Sequence, residues 1–481
     1  MGLPLRRVEG DLWEIPRHGR MKVPARIFSA GPPVPDDPAL QQVVHVAHLP
    51  GILRFALAMP DFHPGYGFPI GGVAAVDAER GAVSPGGVGY DINCGVRLVA
   101  TALEAAPLRP LLATLAAALF AEVPAGVGAC DALPRLSPRE LREVLVQGAR
   151  WAVARGFGAE GDDVERCEEG GRLAGADPEG VGERARQRGS EQLGTLGSGN
   201  HFLELDEVAE VLDEGTAAAF GLFPGQLVFQ IHSGSRGLGH QVCQDALAAL
   251  ARRQRDFGPD YAALPDPQLA AAPVESDEGR AYLSAMAAAA NFAWANRQVM
   301  TGLALRALRR ALGLSEGELR ARLVYDVCHN VAKREEHEVE GRRRAVLVHR
   351  KGATRSFGPG DERVPACYRA VGQPVLVPGD MGRSSFVLCG APGAMRESFG
   401  SCAHGAGRLL SRHQALRAAR GRSVGRELRE QGVEVLSRDH RTLAEEMPEA
   451  YRDVSRVVAV VAAAGLATLV ARLRPLAVVK G

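Results

Sequence analysis

Four segments hold side chains that could share a metal ion. Asp91-Ile92-Asn93-Cys94 follows a glycine-rich stretch at 85–90, and a carboxylate and a thiol three residues apart in a turn can face one cation. Asn200-His201 follows the glycines of 194–199. His232 ends the apolar run 227–231, and His329 lies in Asp326-Val327-Cys328-His329-Asn330. Each stands where strand-like sequence meets a polar or glycine turn. Any one of these histidines is as readily a hydrogen-bonded structural residue. Together they resemble a metal site assembled from distant segments. A fifth candidate, Asp61-Phe62-His63-Pro64-Gly65, is the least decidable, because Asp and Pro also suit a plain turn.

His404 has another character. It precedes Gly405-Ala406-Gly407-Arg408 and a helical pattern over 405–420. An imidazole beside a helix N-terminus would sit next to free N–H donors able to bind phosphate, although an ordinary glycine-rich helix start gives the same string. Further phosphate candidates are Arg236, the 349–352 turn and the loop 378–385. Residues 341–360 hold six basic residues and no acid, and 401–430 hold seven Arg against two Glu. Runs of this kind are often solvated faces. Two of them flanking glycine loops point to a polyanionic ligand.

Several chemistries are excluded. Of 57 Lys and Arg only four are lysines, Lys22, Lys333, Lys351 and Lys480. None follows a glycine, so a P-loop is impossible. None begins Lys-x-Asp-Gly, so covalent nucleotidyl chemistry would need a nucleophile other than lysine. The eight cysteines form no Cys-x-x-Cys pair, which rules out a zinc ribbon and favours a reducing compartment. Charges at Arg6, Arg7, Glu9 and Asp11 interrupt any signal-peptide core. The longest uncharged apolar run, 457–471, is too short to span a bilayer and reads as a buried helix.

The elements that must position these residues mix strands and helices without a steady βαβ rhythm, which favours an α+β fold with sheets flanked by helices. Capping boxes at Ser137…Glu140 and Ser315…Glu318 open two helices. Residues 240–255, 281–312, 405–420 and 451–472 also read as helical, and 227–231, 323–325, 345–349 and 375–377 as strands. Residues 157–190 stand apart as an acidic, Gly-rich surface insertion, with eight acids and two Arg over 160–179.

Taken in order, the motifs resemble the RtcB family of RNA ligases. They are Asp61-Phe-His-Pro-Gly65, Gly86-Gly-Val-Gly-Tyr-Asp-Ile-Asn-Cys-Gly95, Gly197-Ser-Gly-Asn-His201, His232-Ser-Gly-Ser-Arg-Gly237, His329-Asn330, His349-Arg-Lys-Gly-Ala353, His404-Gly-Ala-Gly-Arg408 and the ending 474–481. The resemblance implies joining of RNA with a 2′,3′-cyclic phosphate or 3′-phosphate to RNA with a 5′-hydroxyl, using GTP and two Mn²⁺ ions. It makes His404 the guanylylated nucleophile and Asp91, Cys94, His201, His232 and His329 the metal ligands, with Cys94 bridging. It places the guanylate against Asn200, Glu204, Asn330, Pro378, Gly379, Asp380, Met381, Ser385, Gly405, Ala406, Gly407 and Lys480. Arg236, Lys351 and Arg412 would meet RNA phosphates.

Ligand types alone would favour Zn²⁺ over Mn²⁺, so Mn²⁺ follows from the resemblance. Asp380 stands where the family is expected to carry a small hydroxyl residue, and an extra carboxylate there would oppose a triphosphate. Because these residues run from Asp91 to Lys480, residues 1–481 are expected to form one catalytic domain rather than the three that length alone suggests. Deleting 476–481 is expected to reduce guanylylation sharply. A cytoplasmic monomer, with no membrane association and an archease-type accessory protein, completes the expectation. The rival readings are a metal-dependent phosphohydrolase or nuclease without a covalent step, and a non-catalytic RNA-binding protein.

Overall fold

Antiparallel strand alternation explains how residues so far apart in sequence reach one place. The computed structural model describes residues 3–159 and 161–481. Its larger main sheet runs in the order Arg322–Cys328, Gly95–Glu104, Gln226–Ser233, Phe202–Val211, Ala467–Lys480, Ser385–Gly390, Pro374–Val377, with Glu434–Ser437 added in parallel to the end of Ala467–Lys480. All pairs along that order are antiparallel. One edge of the sheet therefore collects the end of the first strand, the start of the second, the end of the third and the start of the fourth. At that edge Gly95 pairs with both Ser233 and Cys328, and Phe202 pairs with His232 and Lys480.

A seven-stranded sheet runs Arg6–Glu9, Leu12–Ile15, Ala25–Phe28, Ile52–His63, Ile70–Asp77, Arg342–Lys351, Asn330–Val339. It delivers Asp61 near the end of one long strand and Lys351 at the end of another. The β-like runs read from sequence at 227–231, 323–325, 345–349 and 375–377 all lie inside observed strands. The mixture of sheets and helices is the expected α+β class.

The helix Asp277–Leu312, opened by a Ser276 cap and ended by Gly313 at φ 67°, is buried along most of its middle. Its alanines let it approach the sheet closely, and it carries the buried polar trio Asn296, Arg297 and Gln298. Arg297 donates to the backbone oxygens of Asn93 (2.7 Å) and Ser233 (2.9 Å) and pairs with Asp326. Asn296 accepts from the N–H groups of Gly194 and Thr195 and donates to Gly234 O. One helix thus clamps the turns before Cys94 and His201 and after His232. Both predicted capping boxes form, at Ser137 and at Ser315.

Three readings of the sequence are corrected. Residues 451–472 are not one helix: Val454–Ala463 is helical, Gly465 takes φ 66°, and Ala467–Lys480 is a strand paired on both sides. Sheet pairing there outweighs the run's uniform apolarity, which is blind to period. Residues 405–420 hold a helix only over Arg412–Ala418, opened by a Ser411–Gln414 capping box. His404 therefore follows the short strand Ser401–Ala403 and precedes a loop, not a helix N-terminus.

The acidic segment is only partly surface. Glu160 lies outside the described residues, and Asp162, Glu165, Asp177 and Glu179 are exposed. Glu168, however, is buried against Lys333 at 2.6 Å, and Cys167 packs beside Arg97. Composition cannot separate an acid facing water from one facing a buried lysine. Among the described residues, no helix is long and apolar enough to cross a membrane.

Candidate active site

The sheet edge brings five predicted ligands together in two overlapping groups. Asp91, Cys94 and His201 form one, and Cys94, His232 and His329 the other, with the ligand atoms of each group within 4.8 Å of one another. Cys94 Sγ lies 3.4 Å from His201 Nε2 and 3.3 Å from His232 Nε2. His232 and His329 face each other through Nε2 atoms 3.3 Å apart, and Asp91 Oδ2 is 2.8 Å from His201 Nε2. His201 Nδ1 faces Leu196 O at 3.0 Å, so donation there leaves Nε2 a lone pair for a cation.

The electrostatics suit metal binding. Burial pushes His232 and His329 well below the usual imidazole range, and neighbouring histidines add to it, so both rings are neutral ligands. Burial also drives the Cys94 thiol well up, and the Asp91 charge adds to this. A cation is the natural counter-charge for its thiolate. Burial opposes ionisation of Asp91 too, but the charge and hydrogen bond of His201, with Cys94 and Arg236, bring it down to about 2. A shared thiol between two donor groups fits two ions.

His404 lies beside this cluster, its ring edge-to-face with His329 at a centroid separation of 4.9 Å. Asp61 Oδ2 is 2.6 Å from His404 Nδ1 and also accepts from the His404 backbone N–H at 3.0 Å. The carboxylate fixes the ring, and donation from Nδ1–H leaves the lone pair on Nε2. The structure thus gives Asp61, undecidable in sequence, a definite partner. His63 is half-buried beside it, its Nδ1 near Asp61 O, and desolvation lowers it to about 4.

A cavity of about 320 Å³ opens onto these groups. Asn200, Glu204, Asn330, the loop 378–381, Ser385, Gly405, Ala406, Gly407 and Lys480, all predicted nucleotide residues, line it, as do His404 and four of the five metal-ligand candidates. His201 stands behind them. Lys480 is buried and donates to Gly199 O at 2.7 Å. The Asp380 carboxylate closes its own loop, accepting from Arg383 Nε at 2.5 Å and from the Gly382 and Arg383 N–H groups, while its charge still adds to the burial and Asp206 that push the Glu204 carboxyl up.

Two predicted RNA contacts are tied to the protein. Arg236, at φ 55°, donates to Thr195 Oγ1 and Gly126 O. Lys351 Nζ donates to Tyr66 O and Gly86 O, using two of its three protons, and burial lowers it to about 8. Arg412 is the open one, with 61% of its side chain exposed. Sequence reading overlooked Arg297, Asn296 and Glu446. The first two carried a signal, a polar triplet following the stretch 285–295, which is apolar but for Asn291, and such a triplet marks buried groups with a task. Glu446, which pairs with Arg408 at 3.0 Å inside the cavity wall, carried none.

The comparison with known proteins follows this geometry closely. A family profile described as tRNA-splicing ligase RtcB matches residues 42–481. This chain belongs to the RtcB family. It is 51% identical to the tRNA-splicing ligase RtcB of Thermococcus kodakarensis, over 100% of this chain and 99% of that protein. It is 50% identical to that of Archaeoglobus fulgidus over 99% of each, and 50% identical to the RNA-splicing ligase RtcB of Mycobacterium bovis over 92% of this chain and 100% of the relative. Membership of the RtcB family accounts for the eight ordered motifs.

Proposed function

We propose that the chain is an RNA ligase acting in tRNA splicing or RNA repair. It joins a 2′,3′-cyclic phosphate or 3′-phosphate end to a 5′-hydroxyl end with GTP, through a guanylylated His404. The observation that carries this reading is the Asp61–His404 pair set against a thiol-sharing metal-donor cluster in one cavity. A hydrolase would need the donors but no fixed imidazole nucleophile. A binding protein would need neither.

His404 Nε2 forms a bond to the α-phosphorus of GTP as the bond to pyrophosphate breaks. Asp61 holds the ring and balances the positive charge it gains. Lys480, Glu204, Asn200, Asn330 and Ser385 surround the guanylate with the loop 378–381 and Gly405–Gly407. An oxygen of the RNA 3′-phosphate then displaces His404, giving an RNA-3′-pp-5′-G end. The 5′-hydroxyl attacks the 3′-phosphorus and GMP leaves. A cyclic phosphate is first hydrolysed to the 3′-phosphate. Asp91, Cys94, His201, His232 and His329 would hold two Mn²⁺ ions, which polarise the phosphates and neutralise the leaving pyrophosphate. Arg412, with the donors left on Arg236 and Lys351, would meet RNA phosphates.

The test is incubation with Mn²⁺ and GTP labelled at the α- or γ-phosphate, followed by denaturation. The expected result is an acid-labile adduct from the α label only, absent in His404→Ala. GTP hydrolysis without adduct would favour a phosphohydrolase, and RNA binding with neither would favour a non-catalytic role.

A further inference from the structure

The rim of the cavity carries an aromatic stack that the chemistry above does not use. Tyr66 is 58% exposed. Among the described residues the one other exposed large aromatic, Phe223, is 38% exposed and does not line the cavity. The Tyr66 ring stands edge-to-face on Tyr90 at a centroid separation of 5.6 Å and an interplanar angle of 89°. Tyr90 in turn stacks on His240 at 4.8 Å and 25°. Tyr66 and Tyr90 both border the cavity, and Tyr90 is the residue before Asp91.

An exposed tyrosine on a loose loop would mean little, but this loop is clamped. Gln42 accepts from the Gly65 N–H at 2.9 Å and donates to Gly65 O at 2.7 Å. The Gly67 N–H donates to Gln268 Oε1 at 3.0 Å, and Gly67 takes φ 72°, with backbone so close to Gln268 O that no side chain would fit. Lys351 Nζ grips Tyr66 O itself. Backbone on both sides of Tyr66 is therefore fixed while its ring is left in solvent, which lowers the ordering cost of anything that stacks there.

Resting on the ligase reading, we propose that Tyr66, backed by Tyr90 and His240, is a stacking platform for the nucleobase of the nucleotide that bears the 3′-phosphate. That phosphate must reach His404 beside the Asp91–Cys94 donors. Its own base then lies about one nucleotide outward, where the rings begin. Stacking on an aromatic face tolerates any base, which suits an enzyme that joins ends of differing sequence.

The test uses the full chain and single-stranded RNA ending in a 3′-phosphate, with its 5′ end phosphorylated so that it cannot be the acceptor. Adduct formation from labelled GTP, which needs no RNA, is expected to be the same in wild type, Tyr66→Ala and Tyr66→Phe. The half-saturating RNA concentration for passing GMP to the 3′-phosphate is expected to rise about tenfold or more in Tyr66→Ala and to be restored in Tyr66→Phe. An abasic 3′-terminal nucleotide is expected to cost wild type a similar factor and Tyr66→Ala almost nothing further. An unchanged half-saturation, or equal abasic penalties in both proteins, would each overturn the proposal. If wild type forms no adduct, the ligase reading fails on its own. Fluorescence anisotropy of the same RNA on wild type and Tyr66→Ala then still decides the platform.

Discussion

Asp61 Oδ2 sits 2.6 Å from His404 Nδ1 although 343 residues separate them. The same oxygen accepts from the His404 backbone N–H, so ring and backbone are fixed together. Asp61→Asn would offer an amide donor to Nδ1 and favour the tautomer whose Nε2 carries the proton. The expected result is a fall in the rate of adduct formation on the order of 10²–10⁴, with GTP affinity kept within a few-fold. Single-turnover labelling measures it, and an unaltered rate would remove Asp61 from the mechanism.

Cys94 belongs to both donor groups. At about 100 times its dissociation constant, Mn²⁺ is expected to stabilise the wild type by about 2.7 kcal/mol per site, read as a rise in melting temperature that a chelator reverses. Cys94→Ala is expected to lose most of that rise, and His201→Ala only part of it. Equal losses would argue against a shared thiol.

Lys480 cannot be tested by deleting 476–481. Those residues pair with Phe202–Val211 on one side and Glu434–Ser437 on the other, so their removal unravels the sheet. Lys480→Met keeps the buried stem and removes only the charge. GTP binding is expected to weaken about 10- to 100-fold, the worth of a charged hydrogen bond, while unfolding stays cooperative. Calorimetric titration would show it, and undiminished affinity would remove Lys480 from the guanylate site.

Arg350 supports the turn before His404, donating to Ser401 Oγ and to Phe399 O, and pairs with the buried Glu335 at 2.5 Å. Burial opposes ionisation of Glu335, but Arg350, with His337, holds its carboxyl well below the ordinary 4.5. A depressed carboxyl contributes stability above its unfolded value, lost as the pH falls. Glu335→Gln is expected to cost about 3–5 kcal/mol at neutral pH. The gap from wild type should shrink as pH drops below about 4.5. Denaturant unfolding at several pH values checks this, and a gap constant with pH would deny the pair its role.

The site was more legible than the scaffold around it. Candidate ligand residues show by type and by the turns they occupy, so Asp91, Cys94, His201, His232, His329 and His404 could be picked out as a set, though none of them singly. The uniform run 457–471 could not reveal that Gly465 divides helix from strand. Nor could the acidity of 160–179 show that Glu168 faces Lys333. Both depend on partners far away in the chain.

The sequence by itself singled out the candidate donors and His404, through side-chain types set in glycine-rich turns and through the resemblance of its ordered motifs, and it excluded a P-loop and a Lys-x-Asp-Gly nucleophile. Only the tertiary structure decided which donors lie within reach of one another, that Asp61 meets His404, and that Asp380 closes its own loop. The reason is that antiparallel pairing fixes register between segments hundreds of residues apart. A hydrogen bond of 2.6 Å exists only once that register is set.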